Sequence, residues 1–409
     1  MYGLIGKKLN YSLSKEIHKQ FLQDNYELIE TDDLSKINIK SYNGLNITNP
    51  FKNEIIKYLD QKDEIVERTN ACNLVINQKG KLIGYNTDYY GFVEMLKFHN
   101  IDLRNKKVLI CGNGCTSRTI QIALDDLNIE YAVSGRQRKS EKEILYTELK
   151  DEYDVIINAT PVGINEDKSI VDLYRFNQAK LVIDINYSPF RSKLLIDAKR
   201  LKKEYINGLY MLVGQAKKSE EIFINKNIDK ALEIAVYKNV FKQTTKVVFI
   251  GMPYTGKTTI VKKNSVLNSV CFVDLDELIK EKYGCSPKEI ITSKSEEEFR
   301  LIEEKTMLEL CTLRGGCIAL GGGSITNKNA MNELEKSSVF VYLEHNNPET
   351  IKFDDTRPLS TNLKEWYNLL NARKKDFYFY FDIKINAFEE IDIYEVINNQ
   401  WTKSKYDWN

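Results

Sequence analysis

The chain has 409 residues, of which 42% are hydrophobic and 29% charged, as in ordinary globular proteins of two to three domains. The net charge of +1 argues against a nucleic-acid partner, and no apolar run reaches the roughly 18 residues that would span a membrane. Seven cysteines without a CxxC pair, scattered histidines and a start without a signal-peptide pattern predict a cytoplasmic protein with reduced thiols. Composition leaves the oligomeric state open.

The first hundred residues read as one α/β unit. We expect a strand at YGLIG, a helix that begins at Ser14 in SKEIHKQFLQ, and a further strand in KLIGYNTD. Polar side chains gather at the turns: Ser12, Ser14, Thr48, Lys52, Asn73, Asn86 and Asp88. Hydroxyls, amides and charges of this kind suit a polyhydroxylated carboxylate.

A glycine-rich turn follows the next apolar strand, in KKVLICGNGCTSR. Gly112 and Gly114, with Asn113 between them, allow a pyrophosphate to approach the backbone at a helix N-terminus. The following strand ends in YAVSGRQRKS, which offers no acidic residue to a ribose hydroxyl. Its basic residues are Arg136, Arg138 and Lys139. They favour NADP over NAD, and a solvated basic turn is the alternative.

Seven ordered blocks of residues 1–240 resemble the shikimate dehydrogenase family: YGLIGKKLNYSLSKEIH, GLNITNPFK, ACNLV, GYNTDYYGF, GNGCTSR, INATPVGI and INGLYMLVGQA. The resemblance implies a substrate domain of residues 1–100 and 210–240, and a Rossmann domain of residues 101–209 that binds NADPH. It implies reduction of 3-dehydroshikimate to shikimate, with Lys52 and Asp88 as the catalytic pair. Without that resemblance, a surface ion pair would be the simpler interpretation of the two residues.

The same resemblance implies two sets of ligands. Those for the substrate are Ser12, Ser14, Thr48, Asn73, Asn86, Tyr187 and Gln215. Those for NADP are Gly112, Asn113, Gly114, Arg136, Arg138, Asn158 and Thr160. The chain departs from the family pattern at Lys15, Cys115, Gly135 and Gln137.

A second glycine-rich turn follows the strand KVVFI, in GMPYTGKTT. It matches the G-x-x-x-x-G-K-[ST] pattern, in which backbone N–H groups cradle phosphates, a lysine reaches the β/γ oxygens and a hydroxyl coordinates Mg²⁺. The corresponding ATP-binding residues are Gly251, Gly256, Lys257, Thr258 and Thr259. An incidental glycine turn is the alternative.

Charged residues and a triple glycine follow this loop. Asp274 and Asp276 end a predicted strand in FVDLDELI, and IALGGGS is a strand that runs into Gly321, Gly322 and Gly323. Arg300, Arg357 and Arg373 stand in EEFRLIE, TRPLS and NARKKDFY. Guanidinium groups bind carboxylates bidentately, so the set suits a hydroxylated carboxylate.

Together these motifs resemble the shikimate kinase family across residues 246–400. The resemblance implies a P-loop domain with a parallel sheet at residues 245–409, which uses ATP and Mg²⁺ to phosphorylate shikimate to shikimate 3-phosphate. By the same resemblance, Thr258 and Asp274 serve Mg²⁺, and Asp276 holds the attacking hydroxyl. Arg300 and Arg373 bind the carboxylate, the three glycines line the substrate, and Arg357 belongs to a lid that is short here.

The sequence therefore predicts a bifunctional α/β enzyme, and two alternatives remain. The first half could be a quinate/shikimate dehydrogenase. The second half could be a degenerate, kinase-like binding module without catalysis, although Lys257, Thr258, Asp276 and Arg300 argue against that.

Overall fold

The computed structural model describes residues 1–10, 12–21, 25–138, 143–354, 357 and 359–402, with residues 401 and 402 described by their backbone alone. Lys139 of the predicted cofactor turn lies outside these ranges. The chain divides into two compact units, of which the first comprises residues 1–188 and 192–240 and the second residues 189–191 and 241–401. The finer domain bounds predicted within the first unit stay a prediction.

The elements of the first unit follow one another in chain order. Up to residue 98 they are β1 (Tyr2–Gly6), α1 (Ser14–Gln20), β2 (Tyr26–Glu30), β3 (Gly44–Ile47), β4 (Gln61–Lys62), α2 (Glu64–Thr69), β5 (Leu74–Gln78), β6 (Lys81–Tyr85) and α3 (Thr87–Phe98). They continue with β7 (Val108–Cys111), α4 (Cys115–Asp126), β8 (Tyr131–Gly135), β9 (Glu143–Leu145), β10 (Val155–Asn158), β11 (Leu181–Asp184), α5 (Lys193–Arg200), β12 (Glu204–Asn207), α6 (Leu209–Ile224) and α7 (Lys230–Thr244), of which the last four residues belong to the second unit.

Two sheets form the first unit. The first is mixed and has the order β2-β1-β3-β5-β6-β4, with β5 antiparallel to both β3 and β6. The second has the order β12-β11-β10-β7-β8-β9, and its strand pairs are all parallel. Its central strands are continuous apolar runs because helices cover both faces of such a sheet. Chain order reverses beside β7, so a crevice is expected outside the carboxyl ends of β7 and β10.

The second unit is a single parallel sheet with helices. Its elements are β13 (Lys246–Gly251), α8 (Lys257–Asn268), β14 (Phe272–Asp274), α9 (Leu275–Tyr283), α10 (Pro287–Ser293), α11 (Glu296–Leu310), β15 (Cys317–Ala319), α12 (Lys328–Glu335), β16 (Ser338–Glu344), α13 (Leu363–Tyr380), β17 (Ile383–Asn386) and α14 (Ile393–Thr402). The strand order is β14-β15-β13-β16-β17, with every pair parallel. The predicted α/β class and the parallel sheet of the second half are confirmed.

Three residues from the range predicted for the cofactor domain belong to the second unit. Arg191 is fully buried there, its guanidinium lies 2.8 Å from Asp382, and its backbone N–H donates to the carbonyl of Lys336 at 2.8 Å. A buried guanidinium needs such a partner, because an unpaired charge away from water is costly. Among the described helices, none has both the length and the apolar character needed to cross a membrane.

Candidate active sites

A cavity of about 180 Å³ lies in the first unit, where the turns after β1, β3 and β6 and the residue before β5 meet α6. The predicted substrate ligands and catalytic residues that line it are Ser12, Ser14, Thr48, Lys52, Asn73, Asp88, Tyr187 and Gln215. They come from both ends of the first unit, so folding rather than sequence proximity brings them together. Apolar walls are added by Leu4, Leu9, Ile185, Met211 and Leu212.

Lys52 and Asp88 form an ion pair at the wall of this cavity. The Lys52 Nζ lies 2.6 Å from Asp88 Oδ2, and each side chain is 11% exposed. Asp88 is the second residue of α3, where the helix dipole stabilises a carboxylate. Its other oxygen accepts a hydrogen bond from Asn73 Nδ2 at 2.9 Å. The carboxylate therefore fixes the ammonium group, which is a proton donor held in a largely desolvated place.

The two serines stand together at another part of the wall. Ser12 Oγ lies 3.1 Å from Ser14 Oγ and accepts a hydrogen bond from the Ser14 backbone N–H at 3.2 Å. Ser14 is the first residue of α1 and is buried. Two adjacent hydroxyls at the start of a helix suit the two oxygens of a carboxylate.

A buried polar network supports the cavity, and the sequence did not predict it. The Thr87 Oγ1 lies 3.1 Å from Ser219 Oγ and accepts from Asn73 Nδ2 at 3.0 Å, while Asn46 Nδ2 donates to Ser219 Oγ at 3.0 Å. Asn46 also lines the cavity. The one sequence signal for Asn46 is a polar residue within a strand whose other residues are apolar or glycine.

Asn86 is not brought to the cavity, contrary to its predicted place among the substrate ligands. It is buried, and its Nδ2 donates to the Ala71 carbonyl at 2.9 Å and to Thr119 Oγ1 at 3.0 Å. Thr119 belongs to α4, so Asn86 joins the start of α3 to the helix that follows the glycine-rich turn.

The predicted cofactor residues lie at the crevice of the second sheet. Gly112 follows β7 with φ +114°, and a Cβ there would lie 2.7 Å from Thr160 Cγ2, so only glycine fits. Gly114 is the N-cap of the twelve-residue α4; among the described residues, no side chain caps that end and no residue beyond its chain neighbours places an atom within 4 Å of where its Cβ would be. Open space at uncapped N–H groups fits a pyrophosphate.

Asn158 orders the loop on the other side of the crevice. Its Oδ1 accepts from the Thr160 N–H at 3.0 Å, and its Nδ2 donates to Asp184 Oδ1 at 3.1 Å. Burial raises the pKa of Asp184 to about 6, although hydrogen bonds from Ser192, Asn186 and Asn158 oppose the shift.

An acidic residue that the sequence analysis missed lies beyond the basic turn after β8 and contacts the glycine-rich turn. Arg136 is exposed, and Arg138 pairs with Glu148 at 2.7 Å. Asn113 Nδ2 donates to Glu143 Oε2 at 2.9 Å. Glu143 begins β9, beyond the strand end where an acidic ribose ligand is normally sought.

The second unit carries the phosphate-binding loop between β13 and α8. Gly251 and Gly256 have φ of +154° and +73°. Lys257 Nζ donates to the carbonyls of Gly251 at 2.9 Å and Met252 at 2.8 Å. Burial, and then the charge of Arg357, lower the pKa of Lys257 to about 7.

A pair of oxygen ligands stands beside this loop. Thr258 Oγ1 donates to Asp274 Oδ2 at 2.6 Å, while Asp274 Oδ1 caps α9 by accepting from the N–H groups of Asp276 and Glu277. A hydroxyl and a carboxylate are the ligands that Mg²⁺ prefers, so the pair fits that ion. The next residue, Thr259, is exposed in the first turn of α8. In the described ranges, no cluster of three or more His, Cys, Asp or Glu residues is arranged for a metal.

A second cavity, of about 70 Å³, adjoins the loop. The predicted acceptor residues that line it are Asp276, Arg300, Gly321, Gly322, Gly323, Arg357 and Arg373. Arg373 Nη1 donates to the Gly322 carbonyl at 3.2 Å. Burial and the nearby charge of Arg300 lower the pKa of Arg373. Two guanidinium groups that repel each other in a small cavity favour an anionic ligand between them.

Glu303, which the sequence analysis missed, organises this cavity. It is fully buried and accepts hydrogen bonds from Arg300 Nη1 at 2.6 Å, Ser324 Oγ at 2.6 Å and Asn327 Nδ2 at 2.9 Å. One carboxylate therefore ties Arg300 to the end of the triple-glycine turn. Burial lowers the pKa of Arg300, but the carboxylates of Glu303 and Glu296 outweigh this effect, so the pKa of Arg300 is raised.

At the second cavity, Arg357 forms an ion pair with Asp276, the aspartate predicted to hold the attacking hydroxyl. Its Nη1 lies 2.6 Å from Asp276 Oδ2, and its side chain is partly exposed. The pair narrows the cavity and joins Arg357 to the acceptor residues.

Known proteins are similar to each half of the chain. Residues 4–75 match the family model described as shikimate dehydrogenase substrate binding domain, and residues 253–400 match the one described as shikimate kinase. A shikimate dehydrogenase (NADP(+)) from Clostridium botulinum strain Hall is 39% identical over 242 residues, which are 52% of this chain and 92% of the relative.

Solved structures give the same result for the first half. Shikimate dehydrogenase 1 from Peptoclostridium difficile is 35% identical with a TM-score of 0.55, covering 58% of this chain and 96% of its own. The shikimate 5-dehydrogenase from Thermus thermophilus, in complex with NADP(H) and shikimate, is 25% identical with a TM-score of 0.53, covering 58% and 98%. Both predicted resemblances are confirmed: the chain belongs to the shikimate dehydrogenase family, and it carries a shikimate kinase region at residues 253–400.

Proposed function

We propose that this chain is a bifunctional enzyme that makes shikimate 3-phosphate from 3-dehydroshikimate in two steps. The first unit reduces 3-dehydroshikimate to shikimate with NADPH, and the second phosphorylates shikimate with ATP and Mg²⁺. The observation that carries the proposal is the presence of two assembled cavities, each with groups for a hydroxylated carboxylate. The product of the first reaction is the substrate of the second.

In the reduction, the 3-keto carbon of the substrate would accept a hydride, which NADPH would supply when bound. Lys52 donates a proton to the developing alkoxide and stabilises its charge, while Asp88 holds the ammonium and orients the substrate hydroxyl. Ser12 and Ser14 bind the carboxylate. The remaining cavity ligands hold the other hydroxyls: Thr48, Asn73, Tyr187 and Gln215.

The residues that would hold NADPH lie around the crevice of the parallel sheet. Gly112, Asn113 and Gly114 would receive the pyrophosphate, and Arg136 and Arg138 the 2′-phosphate. Asn158 and Thr160 would flank the nicotinamide half.

In the phosphorylation, the chain positions the carboxylate-bearing substrate beside the phosphates of ATP. Asp276 orients the attacking hydroxyl and accepts its proton, while Arg300 and Arg373 bind the carboxylate. Gly321, Gly322 and Gly323 let the backbone approach the substrate, and Gly251 and Gly256 shape the loop that cradles the phosphates. Lys257 and Arg357 neutralise the charge of the transferred group. Thr258 and Asp274 would hold Mg²⁺, which neutralises phosphate charge when bound.

A coupled assay tests the proposal. The intact chain is given 3-dehydroshikimate and NADPH, with or without Mg-ATP, and NADPH loss and ADP formation are followed. We expect NADPH loss in both cases, and ADP formation that requires 3-dehydroshikimate and NADPH when no shikimate is added. ADP formation with added shikimate alone isolates the second reaction. NADPH loss without shikimate-dependent ADP formation would mean that the second unit is a non-catalytic binding module.

Two further arms separate the alternatives for the first unit. Replacing NADPH by NADH should slow the reduction, because the basic turn after β8 favours a 2′-phosphate. Oxidation of quinate with NAD at a rate equal to that of shikimate with NADP would instead indicate a quinate/shikimate dehydrogenase. We infer a cytoplasmic enzyme whose partners are these small molecules, with nucleic acids and membranes excluded by its near-neutral charge and its apolar pattern.

A further inference from the structure

Tyr254 has an unusual backbone conformation inside the phosphate-binding loop. Its φ is +67°, in the left-handed region that glycine adopts readily and that is an outlier for a bulky side chain. Residues in such conformations persist where their surroundings hold them, and they concentrate at functional sites. The chemistry proposed above gives Tyr254 no role.

The Tyr254 side chain contacts residues on both sides of Arg357 in the sequence. Its hydroxyl lies 3.3 Å from the Asp354 carbonyl, from Asp354 Oδ1 and from the Ser360 carbonyl, so it can donate to one of them at a time. The Tyr254 ring packs edge-on against Phe353 at 5.3 Å between centroids. Asp354 and Ser360 are the third residues before and after Arg357.

From Ser360, a short path of hydrogen bonds leads to the acceptor site. The Ser360 N–H donates to the Arg357 carbonyl at 2.9 Å, and Arg357 Nη1 donates to Asp276 Oδ2 at 2.6 Å. Tyr254 therefore connects the phosphate-binding loop with Arg357, whose guanidinium reaches the carboxylate of Asp276.

We propose that Tyr254 is a positioning residue that holds Arg357 in register with the phosphate-binding loop. The proposal rests on the proposed kinase function of the second unit. The Tyr254 hydroxyl and ring contact Phe353, Asp354 and Ser360, so the guanidinium of Arg357 keeps one place relative to Lys257 and Asp276. The left-handed backbone at Tyr254 is retained because it aims the side chain at this segment.

Two substitutions distinguish a positioning role from the alternative that the strained backbone at Tyr254 has no effect on catalysis. Tyr254→Phe removes the hydroxyl and keeps the ring. Tyr254→Gly relieves the left-handed backbone but also removes the ring and its contact with Phe353, so its unfolding temperature is measured together with its kinase rate. If Tyr254 positions Arg357, both variants lose kinase kcat by about 10- to 100-fold, the loss associated with a misplaced catalytic group. Dehydrogenase turnover in the same polypeptide should stay unchanged.

The matched control is Tyr378→Phe. Tyr378 donates to Glu344 Oε1 at 3.3 Å, a hydroxyl contact of the same length in the same unit with no link to Arg357. Its kinase rate should equal that of the unmutated protein. A double-mutant cycle then tests the route of the effect: in an Arg357→Ala background, Tyr254→Phe should cause no further loss, because the group that it positions is gone.

Each result decides the proposal. Unchanged kinase kcat in Tyr254→Phe or Tyr254→Gly, or losses that add to that of Arg357→Ala, would overturn it. A loss of kinase kcat in both Tyr254 variants, with no further loss when Tyr254→Phe is added to Arg357→Ala, supports it. If the unmutated protein does not phosphorylate shikimate, the proposed kinase function fails and this inference fails with it. Normal phosphorylation by the unmutated protein together with an unaffected Tyr254→Phe rejects only the inference.

Discussion

Binding of ATP should draw a proton onto Lys257. Burial and the charge of Arg357 lower the pKa of this lysine to about 7 in the protein without ligand. Phosphate oxygens favour the ammonium form, so the bound state should be fully protonated near neutral pH. At pH 8 a group with a pKa of about 7 is roughly nine-tenths neutral, and binding should take up about 0.9 proton; at pH 6 it should take up about 0.1.

The affinity for ATP should therefore fall as pH rises. Below pH 7 the Lys257 ammonium is already charged before ATP binds, so its contribution to ATP affinity is fully present. This contribution is lost as pH rises through 7. Between pH 6 and pH 8 this loss should be about tenfold.

Titration calorimetry measures the proton directly. Mg-ATP is titrated into the protein at pH 6 and pH 8 in two buffers with different ionisation enthalpies, and the dependence of the binding enthalpy on the buffer gives the number of protons. Lys257→Met should abolish the uptake at pH 8. Lys262→Met, which changes an exposed lysine of the same helix, should keep it. No buffer dependence at pH 8, or the same dependence in Lys257→Met, would refute the reasoning.

Three other changes give distinct results. Lys52→Ala should lower dehydrogenase turnover by roughly 10²- to 10⁴-fold, because the proton donor is lost, while shikimate phosphorylation continues; a fall below tenfold would contradict that role. Arg300→Ala should weaken shikimate binding by about 2–5 kcal/mol and leave ATP binding nearly unchanged, as separate titrations of the two ligands would show; a loss confined to ATP would oppose the assignment. Because burial raises the pKa of Asp184 from 3.8 to about 6, the unmutated protein should lose stability as pH rises through that window. The gain in unfolding free energy from Asp184→Asn, measured by urea unfolding, should therefore be about 2 kcal/mol larger at pH 7.5 than at pH 4.5, and a constant difference would contradict this.

The fold could be predicted where local sequence and tertiary structure agree. The two glycine-rich turns follow apolar strands directly, and a strand, a turn and a helix then specify a βα unit with little dependence on distant residues. The placement of Arg191 in the second unit could not be predicted in this way. Its partners Asp382 and Lys336 are more than a hundred residues away, and nothing near Arg191 in the sequence refers to them.

Within the sites, the sequence indicated which turns are polar but not where each side chain points. Asn86 and Asp88 stand two residues apart at the start of α3, yet Asp88 faces the cavity while Asn86 is bonded to Ala71 and Thr119. Glu303 has an ordinary helical spacing from Arg300, and only its burial with three donors reveals its function. Side-chain direction at a helix start depends on distant neighbours, which periodicity does not contain.

The two proposed substrate cavities suit the same kind of molecule, but their charged side chains differ. The chemistry of each step explains this difference. Hydride transfer creates one alkoxide, so a single ammonium group balanced by a carboxylate is enough, and we propose that Lys52 with Asp88 supplies it. Phosphoryl transfer requires a carboxylate substrate to lie beside the phosphates of ATP. The carboxylate and the phosphates repel each other, and this repulsion is large in a site with reduced dielectric. Fixed positive charge must offset it. In the proposed assignment, Arg300 and Arg373 meet this requirement at the carboxylate, and Lys257 and Arg357 meet it at the phosphates. On this proposal, serine hydroxyls could not replace the arginines in the second cavity, although Ser12 and Ser14 would suffice for the carboxylate in the first.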